Sequence, residues 1–212
     1  MERNITITLE KAKEWYNSGI EPLCELALSV YTEIELKANF RDIKTLKDVC
    51  KSLGIDYDFI ISNANSIAKF SCASAAMYKL NCVRKALNLG YDLCLSKNVN
   101  GECHTWYPCL IFVMKNSDDY KDELESGEYK KIGGIKSEGV TYDVICGDAN
   151  WDHKGLGCFN HNNIGFTNAN TGLLGCASEE IANHFGKYFG MLITEAVYGD
   201  MVDFEIVENK YQ

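Results

Sequence analysis

The sequence predicts an α+β fold: an N-terminal helical segment, then a long helix, an antiparallel β-meander and a long C-terminal helix packed on the sheet. Three observations carry this. Apolar residues recur at helical spacing through the first third of the chain and again over 178–197. Between these stretches lie short runs of alternating or continuous apolar character, bounded by Gly and Asn. The pair Asn100-Gly101 is a hairpin signal between two such runs.

Each element has a local cause. Thr8 caps a first helix whose apolar face is Leu9, Ala12, Trp15 and Tyr16, ending near Ser18-Gly19. Pro22 sits in the first turn of a second helix, with Leu23, Leu26, Ala27 and Val30 as its inner face. Thr32 caps a brief third helix over 33–37. Thr45 opens a fourth, with Leu46, Val49, Cys50 and Leu53 inward and Gly54 as its stop. The pattern over 56–68 is weak. A long helix follows over 71–89, burying Ala73, Ala76, Met77, Leu80, Val83 and Leu87 and ending at Gly90. Strands are expected over 91–95 and 103–114, the second covered on both faces from Leu110 to Met114. Pro108 places that strand at an edge or a bulge.

Ser117 is expected to cap a short acidic helix reaching Glu125, and 127–139 reads as a turn-rich crossing around Gly133-Gly134. A half-buried strand is expected over 140–146, with further strands at 156–159 and 164–167. Ser178, followed by Glu179 and Glu180, opens the clearest helix. Its stripe is Ile181, Phe185, Tyr188, Phe189, Leu192, Ile193 and Val197, with His184 on its flank. The chain divides on this reading into a helical docking or packing module (1–62), an α+β domain (63–200) and a tail or edge strand (201–212).

Composition narrows the partners. The formal charge of −9 repels a phosphate backbone, so nucleic-acid binding through a broad basic face is not expected; Arg84-Lys85 and Lys130-Lys131 are doublets, not patches. No apolar run approaches the roughly 20 residues that span a bilayer. The N-terminal residues lack the apolar run of a secretory signal, and several of the ten cysteines fall on apolar helix faces, so reduced thiols and a reducing compartment are expected.

Chemistry-bearing groups are sparse. Cys94, Cys103, His104 and Cys109 lack the paired short spacings of a zinc site, and buried thiols are the simpler reading. No local feature marks an activated thiol beside His104, His153, His161 or His184. Asp148, Asn150 and Asp152 stand at positions one, three and five of a calcium-type loop, but position six is His153 rather than Gly and position twelve is Phe159 rather than Glu. A polar turn is the better reading, and no metal or cofactor is expected. The stretch 147–172 is rich in Asn and Gly with aromatics interleaved. Asn150, Trp151, Asn160, Asn162, Asn163 and Asn168 are the candidate binding residues there, and Trp106 and Tyr107 are separate aromatic candidates. Hairpin turns and core aromatics are the plainer account of both groups.

Two stretches, 7–19 (ITLEKAKEWYNSG) and 23–36 (LCELALSVYTEIEL), resemble a leader module of small proteins encoded by phages and prophages of gut Bacteroidales. Residues 76–90 (AMYKLNCVRKALNLG), Trp106-Tyr107-Pro108 and the closing 178–189 (SEEIANHFGKYF) are similar to later parts of the same group. Together these cover about two thirds of the chain. Relatives carry an Arg shortly before the last helix where this chain reads Leu173-Leu174-Gly175-Cys176, so no role of that Arg carries over. The resemblance implies a phage gene expressed in a bacterial host cytoplasm, and it transfers no catalytic residue. The expectation is a non-enzymatic binding protein, a capsid- or fibre-associated virion component, with protein partners and a homo-oligomeric state. The second reading is a cytosolic accessory protein that binds a host defence factor or a small signalling molecule. A cysteine-dependent enzyme ranks last; a cleft joining a cysteine, a histidine and a carboxylate would revive it.

Overall fold

The structure, a computed structural model, describes residues 7–89, 105–152 and 174–211, and of 105 and 149–152 the backbone alone. The fold is α+β: helices followed by a four-stranded antiparallel sheet with the last helix packed on it.

The front of the chain folds as its caps dictate. Thr8, Thr32 and Thr45 accept hydrogen bonds from the third residues of α1 (Leu9–Asn17), α3 (Glu33–Lys37) and α4 (Leu46–Leu53). Thr32 with Glu35 and Thr45 with Asp48 form reciprocal capping boxes. α2 (Glu21–Val30) carries Pro22 in its first turn, and Gly54 closes α4 in the left-handed conformation at φ 65°. The expected inner face of α2 is only partly inner: Ala27 is buried, but Leu26 and Val30 are 43% and 51% exposed. Helices α1–α3 share a small core of Leu9, Ala12, Ala27 and Leu36.

The segment whose pattern looked weak is a helix, α5 (Tyr57–Ala68), capped by Asp56. The domain boundary expected near residue 62 therefore falls inside it. Both α4 and α5 pack on α6 (Cys72–Leu87). The N-terminus of α6 is capped twice. Ser71 Oγ accepts from Ser74 N, and the Asp200 carboxylate accepts from Ser71 Oγ and Ala73 N. Its inner face is as expected at Ala76, Leu80, Val83 and Leu87, while Met77 and Ala73 are only half-buried. Just past α6, buried Asn88 donates to the Arg84 and Gly175 carbonyls and accepts from Ala177 N, tying the helix to the approach of the last one.

The sheet order is β1-β3-β2-β4, all antiparallel: β1 (Thr105–Met114), β2 (Lys130–Ser137), β3 (Val140–Asp152) and β4 (Glu205–Asn209). β1 is an edge, and its register slips between Tyr107 and Cys109, where Pro108 has no N–H to pair. Leu110 to Val113 are covered on both faces, as expected, but Met114 is 58% exposed. Three expectations are corrected here. Residues 130–137 are a strand running through Gly133-Gly134, not a turn-rich crossing. Ser117 does not cap the acidic helix; its hydroxyl accepts from Asp119 N, and α7 (Lys121–Ser126) begins after a left-handed Tyr120. Residues 148–152 continue β3 as extended strand, not a polar turn.

The last helix, α8 (Glu179–Tyr198), is capped by Ser178 and buries Ile181, Phe185, Phe189, Leu192 and Ile193 against one face of the sheet and against α6. Gly186 and Gly190 let it lie close. A Cβ at 190 would stand 2.3 Å from Ile132 Cδ1, and one at 186 would stand 2.8 Å from Cys146 Sγ. Two glycines inside a helix cost about 1 kcal/mol each; dense packing against Leu110, Ile132 and Cys146 offsets this. The opposite sheet face, with Cys109, Ile111, Val113 and Ile145, is covered by Tyr120, Leu124 and Tyr129 around α7. Among the described residues no helix is long and apolar enough to cross a membrane. The expected strands at 91–95, 156–159 and 164–167, the 98–101 turn and Gly90 lie outside the described residues.

Candidate functional site

A cleft of about 640 Å³ opens where α8 leaves its cap. One wall is a flank of α8: Glu180, Asn183, His184, Lys187 and Tyr188. Their spacing, i, i+3, i+4, i+7 and i+8, puts them on one side of the helix, beside the buried stripe. A 3₁₀ turn over Phe40–Asp42 gives the second wall, with Phe40, Arg41 and Lys44. The turn after α7 and the start of β2 supply Gly127, Glu128 and Lys130; β3 supplies Cys146, Gly147 and Asp148.

His184 holds two of these walls together. Its Nε2 lies 2.6 Å from the Ile43 carbonyl oxygen, which can only accept, so Nε2 carries the hydrogen. The ring packs between Phe40, edge-on at 5.4 Å, and Tyr188 at 4.6 Å. Burial holds its pKa below the usual histidine value, and Lys187, Lys44 and Arg41 push the same way, against the Ile43 bond.

The cleft is rich in cations for so acidic a chain. Arg41 pairs with Glu180 across the mouth and stacks over Phe40. The Lys187 ammonium lies 4.9 Å from the Tyr188 ring centre and 5.8 Å from that of Tyr211, and the Lys44 ammonium lies 5.8 Å from that of Tyr188. Among the described residues, Lys44, Lys130 and Lys187 have no carboxylate within 4.0 Å.

The cleft does join a cysteine, a histidine and carboxylates, the combination that would revive cysteine chemistry. The Cys146 thiol is not activated there. Burial pushes its pKa up to about 12, the nearby Lys187 and Lys130 notwithstanding. Its sulfur faces the Gly147 and Asn183 carbonyls, at 3.6 and 4.0 Å. The thiolate is the nucleophile, and this arrangement withholds it at neutral pH. A lowered thiol pKa or an imidazole nitrogen bonded to sulfur would mark the opposite case.

Of the residues chosen from sequence, those described lie elsewhere or only border this cleft. Tyr107 is a core residue, 6% exposed. Trp106 is half-buried against the main core, and its backbone exchanges two hydrogen bonds with Cys176, at 3.1 and 2.9 Å. Asn150 and Trp151 pair through their backbones with Tyr107 and Trp106. Asn160, Asn162, Asn163 and Asn168 lie outside the described residues, as do Cys94, Cys103 and His104 of the zinc pattern. Cys109 is buried in the face covered by Leu124 and Tyr129. The calcium-type spacing of Asp148, Asn150 and Asp152 falls on extended strand, which separates the first and last Cα by about 13 Å instead of curling them round a centre. Among the described residues no three His, Cys, Asp or Glu side chains gather as metal ligands, and the seven cysteines are thiols.

The fold and the cleft thus define an α+β scaffold with a mixed-charge pocket between its closing helix and its sheet. In comparisons with known proteins, the chain matches no family model, no curated protein and no solved structure.

Proposed function

We propose that this chain is a non-enzymatic, phage-encoded protein that works by docking on a protein partner through its helical front, as a capsid- or fibre-associated virion component. The observation that carries the docking is the surface of α1–α3. This bundle fully buries only four apolar side chains, while Ile20, Leu26, Leu28, Val30 and Ile34 around α2 and α3 are 43–55% exposed. Apolar surface concentrated on so small a bundle fits an interface better than bare solvent. The phage setting rests on the resemblance of 7–19, 23–36 and 178–189. The test is mass spectrometry of particles purified from the bacterium that carries the gene, made with the parent chain and with Leu26→Glu/Val30→Glu. The parent is expected in the particles and the variant, folded, in the supernatant. Absence of the parent ends the virion reading; equal incorporation of the variant ends the docking reading.

A second reading, a cytosolic accessory protein that binds a small signalling molecule, is favoured by one observation: the cleft beside α8, where Lys44, Lys130 and Lys187 have no carboxylate within 4.0 Å among the described residues.

A further inference from the structure

We propose that the cleft between α8 and the 40–44 turn binds a small organic phosphate of about mononucleotide size, its phosphoryl group held by Lys44 and Lys187. The inference deepens the second reading and is independent of docking through α1–α3.

Charge is the first ground. Acidic residues outnumber basic ones by 30 to 21 in the chain, yet the cleft is lined by Arg41, Lys44, Lys130 and Lys187 against Glu128, Asp148 and Glu180. The cationic excess is local and runs against the protein's own field. A concave site with low-dielectric walls concentrates such a field on a small anion.

Geometry is the second. Lys44 and Lys187 approach the same Tyr188 ring from different elements, each ammonium within 6 Å of its centre. Like charges held within about a Debye length, about 10 Å at 0.1 M salt, repel each other. A surface built only for stability would place a carboxylate between them. Glu180, the carboxylate on this flank of α8, is engaged by Arg41 instead. An anion drawn to the cleft beside Tyr188 by both lysines relieves that repulsion.

The remaining lining selects an organic phosphate over a bare one. Phe40 and Tyr188 add aromatic lining for the organic part of such a ligand, and the volume lies within the roughly 300–1,000 Å³ of small-molecule sites. Glu128 and Asp148, toward the β3 side, accept from hydroxyl groups and repel a second anionic end. Cys146 stays a neutral thiol and adds no competing charge. The His184 bond to the Ile43 carbonyl fixes the spacing of the two walls before any ligand arrives.

The test uses the full chain and three probes: AMP, inorganic phosphate and adenosine. By calorimetry AMP binds saturably, adenosine at least tenfold more weakly, and phosphate between them. Lys44→Ala/Lys187→Ala weakens AMP at least tenfold, while Lys136→Ala, an exposed lysine elsewhere on β2, leaves it unchanged. Should the double variant fail to fold, NMR of the parent decides: AMP shifts amides of 40–44, 127–130, 146–148 and 180–188. Absence of saturable AMP binding, equal affinity for adenosine, or shifts confined to other regions overturns the proposal. Leu26→Glu/Val30→Glu retains AMP binding, so failure of the docking reading is seen separately.

Discussion

Replacing Gly133 by Ala probes the closeness on which the sheet–helix contact depends. A Cβ built there lies 2.5 Å from the Glu208 carbonyl oxygen on β4 and 2.5 Å from the Met191 sulfur on α8. Met191 is itself buried, and the Glu208 oxygen is backbone, so neither retreats without moving its element. Overpacking of this kind costs about 1–3 kcal/mol. Ala recovers about 0.5–1 kcal/mol of the entropy that Gly loses on ordering. The net loss is about 0.5–2 kcal/mol, and at about 2–4 °C per kcal/mol for this chain length the melting temperature falls by about 1–8 °C. Gly134→Ala is the control. Its Cβ would meet the Tyr142 oxygen at 3.3 Å and Val207 Cγ2 at 3.4 Å, so a small adjustment absorbs it. Urea unfolding followed by circular dichroism gives the two stabilities, and hydrogen exchange shows whether amides of 205–209 lose protection first. Equal stability of Gly133→Ala and the parent, or a larger loss in Gly134→Ala, refutes the reasoning.

Two further outcomes follow from the buried ionisable groups. Burial raises the thiol pKa of both Cys146 and Cys176, whereas Cys72 is exposed. Iodoacetamide at pH 8 therefore labels Cys72 in the native protein and reaches the other two only after unfolding, as peptide mass mapping will show; rapid native labelling of Cys146 contradicts the site description. His184, held below its ordinary value of about 6.5 chiefly by burial, binds a proton more readily in the unfolded chain. Its contribution is complete above that value and declines as pH falls from there through the lower folded value. Urea midpoints at pH 7 and 5.5 will show a smaller acid loss in His184→Gln than in the parent, and an identical loss in both sinks the assignment.

The sequence was most informative where one residue has one job. Thr8, Thr32, Thr45 and Ser178 stand where orphan N–H groups need an acceptor, and all four cap their helices. Pro108 marked an edge or a bulge because it lacks a donor, and β1 is an edge whose register slips at that residue. Helix α5 was illegible because Ser62, Asn63, Asn65 and Ser66 favour turns, and only Ile60 and Ala64 are buried. Gly133-Gly134 imitated a turn because the reason for a glycine there, the approach of Met191 and Glu208, comes from distant elements. The cleft was hidden for a related cause. The flank Asn183, His184, Lys187, Tyr188 is visible as a polar and aromatic stripe, but Arg41, Lys44 and Lys130 join it only through the fold. Aromatic character pointed instead to Trp106 and Tyr107, which pack against the main core.

The pairing of α6 with α8 sets a schedule for synthesis. Roughly ninety residues separate the end of one from the start of the other, so a ribosome adding about 5–20 residues per second leaves the side of the earlier helix that meets α8 without its cover for about 5–20 s. Helices α1–α3, which share a small core with one another, have no such wait for it. The nascent protein thus emerges with the small core of its leading part complete and its middle still adhesive for that interval.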